Sequence, residues 1–340
     1  ISGGSVTATG NGYGAGIGGG LQGDGGSITI SGGTVNAAGG DYGAGIGGGA
    51  GKCGGTINIS GGTVTARSIG SGGANSGNGA GIGGGNYGSG GTIIISGGNV
   101  TASSHYRGAG IGGGNMKDGD SITIQGGTIN AYSEYGGTGI GGAYLGSGGT
   151  INIQGGDVTA SGGMWGAGIG SGGNRNADNI TISGGVVKAY AGAYAAGIGA
   201  GGTNTASSHT GGTVKILGGQ VTARGGASGM DAGLDIGRGR NGVNGTLLID
   251  DTAQVTLAAN GIDSSVTTLG TCILQGSASG SFLGAHKDGV KIDGTLIDLS
   301  NPSLASGIGY TVSGNSVTLS GGSFVLFNST ASRNIVVSSG

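Results

Sequence analysis

Two carboxylates and two guanidinium groups stand together at one place in this 340-residue chain, Gly229-Met-Asp231-Ala-Gly-Leu-Asp235-Ile-Gly-Arg238-Gly-Arg240. Acids are otherwise sparse: Asp and Glu total 15, and Glu134 is the one Glu. A carboxylate pair can act as acid and base, or acid and nucleophile, on a glycosidic bond. Arg238 would then position an anionic or hydroxyl-rich substrate. Retaining chemistry needs the carboxyl groups ~5 Å apart and inverting chemistry ~6.5–9.5 Å. Residues four apart on an extended strand share a face at ~13 Å, so catalysis by Asp231 and Asp235 requires a turn at Ala232-Gly233. We expect no such turn. The simpler reading is that a repeat frays here and its charges solvate the end.

The aromatic residues make a second constellation. Tyr13, Tyr42, Trp165 and Tyr194 each lie four residues before an isoleucine in a Gly-Ile-Gly context. Tyr106 and Tyr135 lie five before one, and Tyr87 five after. Their chain neighbours are mostly Gly and Ala. Aromatic rings beside a smooth floor can stack on the apolar faces of sugars. They can equally cover a glycine-rich strand edge, which is a packing role.

Other chemistry is poorly represented. His105, His209 and His286 fall in separate loops, and no His-x-x-x-His or Cys-x-x-Cys spacing occurs, so we expect no metal and no cofactor. Gly23-Asp-Gly-Gly-Ser-Ile and Asp118-Gly-Asp-Ser-Ile read as ordinary turns, without the nonapeptide period of calcium β-rolls. Cys53 and Cys272 are 219 residues apart, which speaks against a disulfide scaffold. With 13 Lys and Arg against a net charge of −2, nothing favours nucleic acid. No stretch approaches the ~18 apolar residues of a membrane helix.

What positions these residues is a repeat. Glycine supplies 97 residues, too many for helices, in which each interior Gly costs ~1 kcal/mol relative to Ala. The Gly-Ile-Gly isoleucines are Ile17, Ile46, Ile82, Ile111, Ile140, Ile169, Ile198 and Ile236, at steps of 29, 36, 29, 29, 29, 29 and 38. A 29-residue unit therefore repeats, with insertions of 7 near Ser68–Ser76 and 9 between Thr203 and Ala232. A second block, such as Ser27-Ile-Thr-Ile-Ser-Gly-Gly-Thr-Val-Asn-Ala37, alternates apolar and polar residues like a strand with one buried face. Its apolar positions form columns headed by Ile28, Ile30 and Val35. Columns at a fixed period are what a β-solenoid needs, because one coil cannot bury its apolar face alone. The fold expected is all-β, a right-handed parallel β-helix of ~29-residue, roughly triangular coils, the hand following from parallel-crossover chirality. Residues 1–245 read as regular coils and 246–340 as an irregular continuation of the same helix. Strand patterns at both ends, without a capping helix pattern, suit a segment of something longer.

Units of the form SITISGGTVNAAGGDYGAGIGGG, with YTVSGNSVTLSGG and STASRNIVVSSG near the end, resemble the Gly-rich β-helical repeats of large secreted or wall-anchored bacterial proteins. Such proteins are often described as carbohydrate-binding. The resemblance covers nearly the whole chain and rests on core isoleucines and turn glycines. It implies an extracellular module with glycan or polysaccharide as partner and no membrane insertion; flat-sided rods can also associate laterally.

Three readings of function result. The first is a rigid stalk or adhesin segment that holds glycan weakly along its aromatic edge. The second, by fold analogy, is a glycoside hydrolase or polysaccharide lyase using Asp231, Asp235 and Arg238. The third is binding to ice or a crystal surface, for which the Thr column (Thr29, Thr123, Thr181) is interrupted by Asn58, Ile94 and Asn152.

Overall fold

Alternating residues such as Ser27-Ile-Thr-Ile put isoleucine inside and hydroxyls outside, and the strand Ser27–Ile30 is exposed and buried in strict alternation. The same alternation marks Thr34–Gly39. Between them, Ser31-Gly-Gly turns the chain: Gly33, Gly62 and Gly127 have φ of +83°, +86° and +94°, a region glycine enters without steric penalty. A two-residue strand, Ile46–Gly47 in this coil, closes the third side.

The computed structural model describes residues 1–70, 77–205, 208–226, 232–249, 253–258 and 260, and beyond these the backbones of eight short strands between Thr271 and Asn334. Each of the three strand types stacks into its own parallel sheet. A long sheet of ten strands begins at Ser5–Thr9, and two sheets of eight begin at Ile17–Gly18 and Ser27–Ile30. The register advances by one repeat: Val100 pairs with Ile129, Ile111 with Ile140, and Ile122 with Ile151. The chain is a right-handed parallel β-helix with three-sided coils, and no helix occurs among the described residues.

The isoleucine and valine columns face inward. Ile59, Ile95, Ile124, Ile153 and Ile182 are all at most 1% exposed, and each such side chain contributes roughly 1.5–3 kcal/mol by leaving water. A further inner column, Ala66, Ala102, Ala131, Ala160, Ala189 and Ala223, is also fully buried. Small residues there let the long sheet approach the Ile-Gly corner. At that corner the backbones nearly touch. Gly112 has φ +134°, and a Cβ on it would overlap the carbonyl oxygen of Gly141 one coil on.

The register continues past the 245/246 boundary read from sequence. Thr246–Ile249 pairs with Thr213–Ile216, and Ala253–Leu257 with Gly219–Arg224. Thr271–Leu274 adds one more parallel strand. The described strands after it pair antiparallel, for example Ser279–Leu283 with Ser316–Ser320 and Val290–Ile292 with Thr295–Ile297. The Gly-Ile-Gly series itself ends earlier, at Ile236.

Candidate functional site

The loop before each Ile-Gly strand carries the aromatic residues, and the loop after it folds against the loop of the preceding coil. Four residues before the isoleucine, the backbone carbonyl accepts a hydrogen bond from the amide four residues after the next coil's isoleucine. Ala50 N–H donates to Tyr13 O at 2.8 Å, Asn86 to Tyr42 at 2.7 Å, Tyr144 to Arg107 at 2.9 Å and Arg240 to Tyr194 at 2.8 Å. Because the Ile-Gly strands are in register, these loops share one edge of the helix.

Along that edge the rings form pairs. Tyr13 stacks on Tyr42 with centroids 5.1 Å apart, Tyr106 on Tyr135 at 4.6 Å, and Trp165 on Tyr194 at 4.4 Å, all within 28° of parallel. The spacing is that of successive strands, ~4.8 Å, so each ring spends one face on its partner. No sugar fits between them. What remains open is the ring edges and the outer faces of the pairs. Tyr13 and Tyr135 are the exposed members, at 51% and 44%, while Tyr42, Tyr106, Trp165 and Tyr194 are half-buried. Asn78 holds the Tyr42 position in the third coil and so separates the first pair from the second; Tyr106 and Tyr135 stand one residue earlier in their coils than the other rings, with Arg107 and Gly136 in the Tyr42 column.

Arginine adds to two of the pairs. The Arg107 guanidinium lies 5.0 Å from the Tyr106 ring centre and 4.9 Å from that of Tyr144. Arg240 lies 4.9 Å from Tyr194, and its Nη1 donates to Asn204 Oδ1 at 3.3 Å. Nearby, His105 Nδ1 meets Glu134 Oε2 at 2.7 Å across neighbouring coils. The sequence pattern places Arg240 with the acidic cluster rather than with the rings, and gives Arg107 and Tyr144 no role. The available signal was positional: Arg107 occupies the column of Tyr42 and Trp165, and Tyr144 and Arg240 occupy the facing column.

The acidic candidates sit differently. Asp231 lies outside the described residues, so the pair's separation is not defined. Asp235 is fully buried, and its Oδ1 accepts a hydrogen bond from Gly225 N–H at 2.7 Å. Arg238 is half-buried, and its carbonyl accepts from Leu234 N–H at 3.0 Å. A carboxylate with no exposed surface has no face to offer a substrate in this conformation. Among the described residues no group of three or more His, Cys, Asp or Glu could hold a metal ion.

Asp side chains do recur as links between coils. Asp24 Oδ1 accepts from Cys53 N–H at 3.1 Å, Asp118 Oδ1 from Ser147 N–H at 2.7 Å, and Asp178 Oδ2 from Gly149 N–H at 3.1 Å. Burial raises the Asp178 pKa above its ordinary 3.8; the Gly149 hydrogen bond opposes this and the Asp118 charge adds to it.

Three registered parallel sheets wound from one 29-residue unit define a parallel β-helix repeat protein. A family described as "Beta helix repeat" matches residues 1–21, 28–50, 93–115, 122–144, 151–173, 180–202 and 214–233. The chain is therefore a β-helix repeat protein by sequence as well as by architecture. Comparison with curated proteins and with solved structures gives no match.

Proposed function

We propose that the chain is a non-catalytic extracellular module, a rigid stalk or adhesin segment of a secreted or wall-anchored protein, that holds glycan weakly along its aromatic edge. The observation that carries this reading is the set of stacked ring pairs on one registered edge. Contact uses the ring edges and the outer faces of Tyr13 and Tyr135. Each pair offers a small apolar surface, and the helix repeats it along its length, so a polymer gains avidity where a monosaccharide gains little. The Gly-rich coils keep that spacing fixed.

A glycan array probed with the purified chain tests the reading. Polysaccharides should bind better than their monosaccharides, and Tyr13→Ala with Tyr135→Ala should abolish the signal. An array without any hit, or one indifferent to both substitutions, sinks it.

A further inference from the structure

A second surface lies where the chain enters the four-residue strands. Between the Ile-Gly strands and the four-residue strands runs an open trough of about 600 Å³, and no member of the ring pairs lines it. Its floor carries Thr150, Asn179, Thr213 and Thr246, the first residues of four consecutive strands in register. They stand one coil apart, so hydroxyl and amide groups repeat along the axis every ~4.8 Å. Asn176 and Asp178 flank this row.

Two features of the chain shape this region. Asp178, with φ +60°, holds a place where the neighbouring coils have Gly149 and Gly212, with φ of +77° and +73°. A carboxylate thus stands where the adjacent coils have glycine, as Asp120 with φ +58° does two coils earlier, its Oδ2 accepting from Gly91 N–H at 3.0 Å. The chain also lengthens: ten residues lead from Ile169 to Asn179, but fifteen from Ile198 to Thr213. Thr210 lines the trough from three residues before its strand, the place Asn176 holds in the preceding coil. Its N–H donates to Asn176 Oδ1 at 2.9 Å, and it bridges to Val243 in the next coil.

We propose that this trough is a binding site for a neutral oligosaccharide lying along the helix axis. Hydroxyls and amides both donate and accept, as sugar hydroxyls require. The Asp178 carboxylate uses Oδ2 on Gly149 N–H, and a carboxylate has further lone pairs for a sugar hydroxyl in a charge-assisted bond. No Lys or Arg lines the trough, so an anionic uronate chain is repelled. The site does not depend on the aromatic edge.

The test compares the intact chain with Asp178→Gly, which installs the residue the neighbouring coils already use and so preserves the turn. Titration calorimetry with cellohexaose, xylohexaose and mannohexaose should detect binding of at least one. Asp178→Gly should weaken it at least tenfold with an unchanged melting temperature, while Tyr135→Ala leaves it intact. Oligogalacturonate should bind more weakly than the neutral probe. The inference is overturned if none of the three neutral probes binds, if Asp178→Gly binds equally well, or if oligogalacturonate binds best. Binding lost in Tyr135→Ala but kept in Asp178→Gly would also overturn it, and would leave the aromatic-edge reading standing.

Discussion

The buried carboxylate of Asp235 accepts a hydrogen bond from Gly225 N–H at 2.7 Å, and this replaces a rung of the β-helix. In the two preceding coils the matching amides donate to the next coil's strand: Gly162 to Tyr190 O and Ala191 to Arg224 O, both at 2.9 Å. The strand after Gly219–Arg224 pairs only as far as Leu257 with Ala223, one residue short of the next rung. Earlier units have Gly at the Asp235 position because a side chain there strikes the following strand; a Cβ on Gly168 would lie 2.7 Å from Tyr190 N.

Asp235→Ala should therefore cost stability. Leaving a buried amide without an acceptor costs roughly 1–3 kcal/mol. Urea denaturation measures it, and a midpoint equal to that of the parent would show that the bond does not matter.

The inward register makes a sharper prediction. Ile124→Asp buries an unpaired carboxylate and should cost several kcal/mol, enough to unfold the array. Thr123→Asp, one residue away and facing outward, should be tolerated. Circular dichroism melts of both variants decide the point; equal melting temperatures would refute the register.

His209 supplies a pH dependence. It is 4% exposed, and burial lowers its pKa from the ordinary 6.5, with a hydrogen bond to the Gly201 backbone acting in the opposite direction. A depressed histidine pKa means that the folded state favours the neutral ring. This contribution to stability is present above pH 6.5 and is lost as pH falls through the folded-state pKa. Melting temperature should fall over that window, and His209→Gln should flatten the fall. An identical pH profile in the variant would contradict the assignment.

The ring pairs predict a split between stability and binding. Trp165→Ala removes a stacked partner as well as surface, and should cost about 0.5–1.5 kcal/mol of stability. Tyr135→Ala should weaken polysaccharide binding by ~1 kcal/mol. Denaturation and binding measured on the same preparations separate the two. Loss of stability without loss of binding in both variants would make the pairs packing devices alone.

The period of the isoleucines made the coil, its three sides and its inner columns readable, because each column obeys one physical rule at every turn. The buried alanine column is less legible: Ala131 and Ala160 are fully buried, but alanine is too small to mark an inner face by its hydrophobicity alone. At the edge, the sequence gives the positions of Tyr13 and Tyr42 but not the direction of their ring normals. Stacking turns the faces toward each other, and that follows from the coil spacing. Asp235 stands in the sequence where every earlier unit has Gly. Its burial depends on where the next strand ends, which no local motif records.

We propose that this β-helix holds glycan without cutting it. The most direct measurement incubates the chain with a polysaccharide it retains on an affinity gel, then counts new reducing ends and unsaturated products over a day. The account predicts retention that Tyr13→Ala with Tyr135→Ala abolishes, and no increase in either product. Release of either product by the parent chain, abolished by Asp231→Asn or Asp235→Asn, would contradict it.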